Sequence, residues 1–286
     1  MAVPITPEEV ETFHEQGYLV LRNVFEESKL ETLRAEADRI LELLVNATLA
    51  NERQSRRLTV VDTDSGQQIK KVQPVNDLSE PISQVSQDDR FIDPVRAVMR
   101  DDPVLMEEKL NYKQPLPERV PGLESSSQDG GWPIHNDWAY YKAQGYPRDT
   151  ISAAVCLDDC TPETGPVHVW PGSHTVHYDH ESTGGNRLQI PTEKINYRGG
   201  EDLAVPAGSV LLMHSLLVHS SRPNQTSQPR RVLTYSHYPD SEFQTYPDAR
   251  NGPTRLQESP WEWEYQRKKR AGEYTDQFVA PTVGES

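Results

Sequence analysis

The apolar positions of this chain change their spacing along its length, and each change predicts a different element. Thr6-Pro7-Glu8-Glu9 reads as a helix start. The threonine can cap, the proline suits the first helical position and Glu9 can close a capping box. That helix should stop near Gly17 and feed a strand at Tyr18-Leu19-Val20-Leu21, with Asn23-Val24 beyond it. Leu30, Leu33, Ala37, Ile40 and Leu44 then recur at three- and four-residue steps, which places them on one face of a longer packing helix. Residues 46–70 are polar and predict an exposed loop or lid, and Lys71-Val72-Gln73-Pro74 opens a short strand. A helix over Pro94 to Met99, a strand from Met106 to Tyr112 and a proline- and glycine-rich loop over 114–131 follow.

Beyond Trp132 the pattern shortens. Apolar stretches at 150–157, 166–170, 203–205, 209–213, 216–220 and 231–238 are separated by Thr164-Gly165, Pro171-Gly172, Gly184-Gly185 and Pro206-Ala207-Gly208. Many short strands punctuated by turns indicate a sandwich or barrel. A last helix starts at Ser259-Pro260-Trp261-Glu262 and ends in Arg267-Lys268-Lys269-Arg270, a basic cluster suited to a helix C-terminus. With no internal repeat or linker, residues 1–286 read as one domain, mainly β with flanking helices. The segments 46–70 and 114–131 are its lid or pocket loops, and 259–286 is a helical tail whose Trp261, Trp263 and Tyr265 help shape the pocket.

Composition narrows the function classes. Lys and Arg total 29 against 44 Asp and Glu, a formal charge of −15, which argues against nucleic acid or an anionic membrane as partner. No apolar run reaches the length of a membrane span and the N-terminus lacks the pattern of a signal peptide, so a cytoplasmic protein is expected. Cys156 and Cys160 are too few for a disulfide framework and are read as reduced packing residues.

The segment Trp132-Pro133-Ile134-His135-Asn136-Asp137-Trp138 carries chemistry. On an extended strand, residues two apart face the same way, so His135 and Asp137 can offer an imidazole and a carboxylate to one metal ion. A third ligand is available in the apolar run Val210 to His219, which is interrupted only by His214, Ser215 and His219. Two histidines and one carboxylate on one face leave three positions open, the arrangement of iron(II) oxygenases; a structural zinc site would close its shell instead. After His219 a turn at Pro223-Asn224 leads to Arg230-Arg231 and the strand Val232-Leu233-Thr234-Tyr235. One of these arginines could hold a dicarboxylate by a charge-assisted pair.

Together, His135-Asn136-Asp137, Thr164-Gly165-Pro166 leading to Trp170-Pro171-Gly172-Ser173-His174, and His219 through Arg230 resemble the phytanoyl-CoA dioxygenase family. The opening Phe13…Gly17-Tyr18-Leu19-Val20 and a following helix are similar too, and the resemblance spans roughly residues 8 to 240. It implies a double-stranded β-helix, or jelly-roll, core and an Fe(II)/2-oxoglutarate-dependent dioxygenase. His135, Asp137 and His219 would bind the iron, and Arg230 the distal carboxylate of 2-oxoglutarate. Ser221 would support that carboxylate, Lys71 would reach the cosubstrate, and Asn111 and Asn136 are further cosubstrate contacts. With O2 as second cosubstrate, the implied reaction hydroxylates an unactivated C–H bond of a small metabolite and releases succinate and CO2.

Asp137 disfavours halogenation, in which a small residue replaces the carboxylate. Desaturation, ring formation and demethylation share the same oxidant and stay open, as does a non-oxidative cupin-type isomerase or hydrolase. Where many relatives carry a tryptophan in the strand after the metal motif, this chain has Ala153-Ala154, which leaves extra volume near the cosubstrate or substrate. His174, His177 and His180 are dense enough to raise a second metal site, although His174 matches a structural turn. His214 is expected in a hydrogen-bonded core or interface role, and His168 toward either cavity or solvent.

Overall fold

The computed structural model describes residues 5–64, 66–126, 129–184, 187–242 and 259–281. Helix α1 (Pro7–Gln16) begins with the expected capping box: the Thr6 side chain accepts from the Glu9 N–H while the Glu9 carboxylate accepts from the Thr6 N–H. Gly17, at φ 81°, ends it in the left-handed conformation that glycine adopts without penalty. Strand β1 (Tyr18–Leu21) follows, then α2 (Glu27–Asn51), whose Leu30, Leu33, Ala37, Ile40 and Leu44 are all buried.

The expected loop or lid over 46–70 is not one. Residues 46–51 are the last turns of α2, and β2 (Leu58–Thr63) with β3 (Gly66–Val72) forms a hairpin at the edge of the main sheet. Its polar side chains concealed it, because their partners are distant in sequence. Gln67 donates to Ser125 Oγ at 3.2 Å, and Lys70 Nζ to the Asp129 and Gly131 carbonyls at 3.0 and 2.7 Å. Buried polar groups are tolerated when paired in this way.

Helices α3 (Glu80–Val85) and α4 (Asp89–Met99) precede β4 (Pro103–Pro115), longer at both ends than its apolar run suggested. Then come β5 (Trp132–His135), α5 (Trp138–Ala143), β6 (Ile151–Cys156), β7 (Val167–Val169), β8 (Glu181–Ser182), β9 (Leu188–Gln189) and β10 (Glu201–Asp202). β11 (Val210–His214), β12 (His219–Ser221), β13 (Val232–Pro239) and α6 (Pro260–Arg270) complete the order. Residues 203–205 make only an isolated bridge, Val205 to Cys160, and 215–218 form a turn rather than a strand.

The strands form a seven-stranded sheet, β1-β11-β6-β13-β4-β3-β2, a four-stranded sheet, β10-β7-β12-β5, and a small β8-β9 hairpin, all antiparallel. One face of the large sheet packs on the helices through Ile69, Leu110, Tyr112, Val155, Leu212, Leu233 and Tyr235. From the other face Ala154, Cys156, Leu211, Met213 and Val232 meet Val169 of β7 and Leu217. This alternation is the period-two pattern of strands buried on both faces.

Two further expectations change. Among the described residues, 116–126 and 129–131 do not line the central cavity; they lie along β2 and β3, with the Ser126 N–H donating to the Val60 carbonyl at 2.8 Å. The described part of the tail, 259–281, does not line that cavity either. Helix α6 packs on α2, Trp261 and Trp263 are exposed, and Asn46 of α2 accepts from the Gln277 and Phe278 N–H groups. The basic cluster ends α6 as expected, with Lys268 donating to the Ala50 carbonyl and Arg267 paired with Glu264 and Glu273.

Candidate metal centre and cosubstrate cavity

β12 pairs with β5 so that His219 lies opposite His135. Each imidazole is oriented by the carbonyl two residues before it: His135 Nδ1 lies 2.7 Å from Pro133 O, and His219 Nδ1 lies 3.0 Å from Leu217 O. A carbonyl can only accept, so Nδ1 carries the proton and Nε2 keeps its lone pair. Burial, with the His219 charge next, pushes His135 down to about 3, which keeps it neutral.

Asp137 reaches the site by a different route from the expected one. β5 ends at His135, and Asp137 has helical angles, φ −66° and ψ −32°, at the start of α5. The turn, not strand alternation, brings its carboxylate round. Asp137 Oδ1 stands 3.7 Å from His135 Nε2 and 3.8 Å from His219 Nε2, while Oδ2 accepts from Ser152 Oγ at 3.0 Å. Burial opposes the Asp137 charge, but His219, Lys109, His135 and the Ser152 hydroxyl outweigh it and hold the carboxyl below its usual range.

Among the described residues these three form the His/Cys/Asp/Glu group with metal-ligand spacing, their ligand atoms all within 4.8 Å of one another. Two imidazole Nε2 atoms and one carboxylate oxygen fit a facial iron(II) site, and among the described residues no fourth such ligand closes it.

The triad lines a cavity of about 350 Å³ between the two sheets. Arg230, only 3% exposed, lines it as well. One Arg230 terminal nitrogen donates to the Gly165 carbonyl at 3.0 Å, while its buried Nε has no partner. A buried guanidinium with an unmet donor suits a carboxylate ligand. Arg231 turns the other way and is fully paired, its guanidinium bonded to Asp158 and Asp38 at 2.8 and 2.7 Å. The Thr164-Gly165-Pro166 turn has a physical reason too. Gly165 sits at φ 70°, and a Cβ there would meet the Arg222 carbonyl at 2.2 Å. Only glycine lets this backbone approach and offer its carbonyl to Arg230 and to Lys113.

The other predicted contacts divide. Ser221, Lys71 and Asn111 line the cavity. Ser221 Oγ accepts from Lys113 at 3.0 Å, Lys71 Nζ donates to Gln73 Oε1 at 2.9 Å, and Asn111 keeps an unpartnered buried Oδ1. Asn136 does not line it: its Oδ1 caps α5 by accepting from the Ala139 N–H, and its own N–H donates to His180 Nε2. Ala154 faces the cavity and Ala153 the helices, so only one of the two alanines adds room there.

The remaining histidines have local roles. His174 Nε2 contacts the His14 carbonyl at 3.0 Å, His214 Nδ1 accepts from the Leu216 N–H, and His168 Nδ1 bonds Asp202 at 2.7 Å. His174, His177 and His180 do not converge on a second metal position among the described residues.

Sequence reasoning missed the polar wall of the cavity. Glu107 Oε1 accepts from Lys109 and from the Tyr141 hydroxyl, each at 3.0 Å. Tyr141 shares a hydrogen bond with Ser236, Ser236 with Ser152, and Ser152 donates to Asp137. The hydroxyls of Tyr141, Ser236 and Ser152 thus stand in line between the Glu107–Lys109 pair and the metal-binding carboxylate; with Tyr141 donating to Glu107 and Ser152 to Asp137, Ser236 donates to one of its two neighbours at a time. The one available signal was Glu107-x-Lys109-x-Asn111, three polar residues at alternate positions and so on one face of the strand.

Comparison with known proteins agrees with this geometry. Residues 13–232 match the family described as phytanoyl-CoA dioxygenase (PhyH). Ectoine dioxygenase of Halomonas elongata is 26% identical over 276 residues, covering 90% of this chain and 77% of that protein. Methylphosphonate hydroxylase of Gimesia maris is 25% identical over 233 residues, covering 82% and 80%. Among solved structures, EctD from S. alaskensis with 2-oxoglutarate and 5-hydroxyectoine gives a TM-score of 0.64 at 21% identity, covering 90% of this chain and 89% of that one. The epimerase SnoN in complex with Fe3+, alpha ketoglutarate and nogalamycin RO gives 0.61 at 18%, covering 97% and 95%. With the family matched over residues 13–232 and a complete two-histidine, one-carboxylate site, the chain belongs to the phytanoyl-CoA dioxygenase family of non-haem iron(II)/2-oxoglutarate-dependent oxygenases.

Proposed function

We propose that this enzyme hydroxylates an unactivated C–H bond of a small-molecule metabolite, consuming 2-oxoglutarate and O2 and releasing succinate and CO2. The observation that carries the reading is the shared cavity: three metal ligands with free lone pairs and a buried, under-bonded Arg230 line one space of about 350 Å³. The two sheets enclosing it are read as a double-stranded β-helix, residues 1–286 as one domain and the cytoplasm as its compartment. No helix among the described residues is long and apolar enough to cross a membrane.

His135, Asp137 and His219 would hold iron(II), which supplies the redox chemistry that activates dioxygen when 2-oxoglutarate is present. The protein's part is positioning. Arg230 binds the far carboxylate of the cosubstrate, with Ser221 and Asn111 as the nearby polar contacts, and Lys71, expected beside them, is assigned instead to the Glu107–Lys109 wall that it joins through Gln73. Ser152 fixes the rotation of Asp137, and the Pro133 and Leu217 carbonyls fix the two imidazoles. Ala154, Met213 and Val232 give the cavity an apolar side that excludes water from the reacting centre.

The test is a metabolite screen scored by substrate-dependent succinate release, repeated under labelled dioxygen. A product carrying one labelled oxygen atom, with the second in succinate, is expected. Turnover that is independent of dioxygen would contradict the proposal, and a product that has lost two hydrogens without gaining oxygen would redirect it to desaturation.

A further inference from the structure

The cavity wall carries a positive charge that metal and cosubstrate do not use. Among the described residues the cavity is lined by cationic Lys71, Lys109 and Arg230 and anionic Glu107 and Asp137, with the two candidate metal-binding imidazoles of His135 and His219 beside them. In the state proposed above, the charges of iron(II), Arg230, Asp137 and 2-oxoglutarate cancel. Two lysines then face one glutamate.

The bonding on this wall shows where the surplus lies. Lys109 Nζ donates to Glu107 Oε1 at 3.0 Å, and their side chains are 19% and 22% exposed. Among the described residues Lys71 Nζ donates to a neutral amide, Gln73 Oε1, and to no carboxylate, while Gln73 Nε2 donates to Glu107 Oε2 at 3.1 Å. Both Glu107 oxygens are engaged, Oε1 by Tyr141 as well. An ammonium group has three donors, so each lysine keeps donors for the cavity. Neither Lys70 nor Lys113 lines the cavity: Lys70 donates to the Asp129 and Gly131 carbonyls, and Lys113, on the Arg230 side, donates to the Gly165 carbonyl and Ser221 Oγ while burial and Arg230 disfavour its charge. Burial and the nearby Lys109 charge depress Lys71 to about 8, outweighing the Glu107 carboxylate that the two lysines share. A buried cation of this kind is costly until an anion joins it.

We infer that the substrate carries a small oxyanion, a carboxylate or a phosphonate, that docks on Lys109 and Lys71 beside the metal site. The inference rests on the proposed function, which assigns Arg230 to the cosubstrate. Glu107 and Tyr141 hold Lys109 in place, and the hydroxyls of Ser236 and Ser152 fill the space between that anchor and Asp137. The anchored anion would thus fix the substrate's reacting carbon relative to the iron.

The experiment uses the full chain loaded anaerobically with iron(II) and 2-oxoglutarate, and measures calorimetric binding of propionate, methylphosphonate, 1-propanol and propylamine. The two anions should bind more tightly than the alcohol or the amine, and the better of the two identifies the oxyanion. Lys109→Met should weaken anion binding about tenfold or more, since a hydrogen bond to a charged group is lost. Lys109→Arg should retain most of it. Glu107→Gln removes the competing carboxylate and should strengthen it, an opposite sign that misfolding cannot imitate. Wild-type protein that forms the visible iron–cosubstrate band yet binds propylamine or 1-propanol as tightly as the anions overturns the substrate inference alone. Unchanged anion affinity in both Lys109→Met and Glu107→Gln does the same. Failure of the wild type to form the band overturns the metal reading and this inference with it.

Discussion

Ser152 donates a hydrogen bond to Asp137 Oδ2 at 3.0 Å, and this leaves Oδ1 directed at the two histidine Nε2 atoms. The serine lies on β6 of the large sheet, whereas both histidines belong to the small one, so the bond ties the metal-binding carboxylate to the opposite wall. Ser152→Ala should lower iron(II) affinity about 10- to 100-fold, the usual cost of losing an outer hydrogen bond to a ligand. Folding stability should fall by only about 1 kcal/mol. Equilibrium iron titration and urea unfolding of the metal-free protein check the two parts.

Arg230 and Arg231 are adjacent in sequence and opposite in role. Arg230→Met should raise the 2-oxoglutarate dissociation constant on the order of a hundredfold or more, leaving iron binding in place. Arg231→Met should leave cosubstrate affinity near the wild-type value but cost about 3–5 kcal/mol of stability, because Asp38 and Asp158 lose a fully buried partner. Calorimetric cosubstrate binding and denaturant unfolding of both variants separate these outcomes. Equal effects on binding and stability in the two would contradict the assignment.

Much of the site was legible in the sequence because its signals are local. The capping box at Thr6, the periodic leucines of α2, the His135–Asp137 spacing and the interval from His219 to Arg230 each lie within a short stretch. What escaped depends on distant partners. The β2–β3 hairpin looked like a loop because Gln67 and Lys70 are paired by residues some sixty positions away. Which of Arg230 and Arg231 faces the cavity is decided by Asp38 and Asp158, on α2 and just after β6. Even Asp137 reached the predicted place by an unpredicted route, through a turn rather than along a strand.

Gly165 tests the backbone side of the cosubstrate pocket. Gly165→Ala places a Cβ against the Arg222 carbonyl and forces the left-handed residue to carry a side chain. The turn must shift, and its carbonyl is what orients Arg230. The variant should lose stability by about 1 kcal/mol or more and bind 2-oxoglutarate more weakly. Wild-type affinity in a correctly folded variant would show that the turn does not orient Arg230.

His237 predicts a pH effect away from the metal. It lies buried on β13 against Phe91, both ring nitrogens are without a partner, and burial pushes its pKa down to about 3. The unfolded chain would bind a proton near pH 6.5 while the folded chain would not. Its contribution to stability is therefore fully present above about pH 6.5 and is lost as pH falls toward 3. His237→Leu should make unfolding free energy less pH-dependent across that window, as measured by urea denaturation of the metal-free protein at several pH values. An unchanged slope would mean that the imidazole is already protonated in the fold.

The central claim is that His135, Asp137 and His219 bind one iron(II) beside a 2-oxoglutarate site. Anaerobic titration of the metal-free chain with iron(II) in the presence of 2-oxoglutarate tests it most directly. A weak visible charge-transfer band should grow to saturation at one iron per chain and vanish in Asp137→Ala. No band in the wild type, or the same band in Asp137→Ala, would contradict the account.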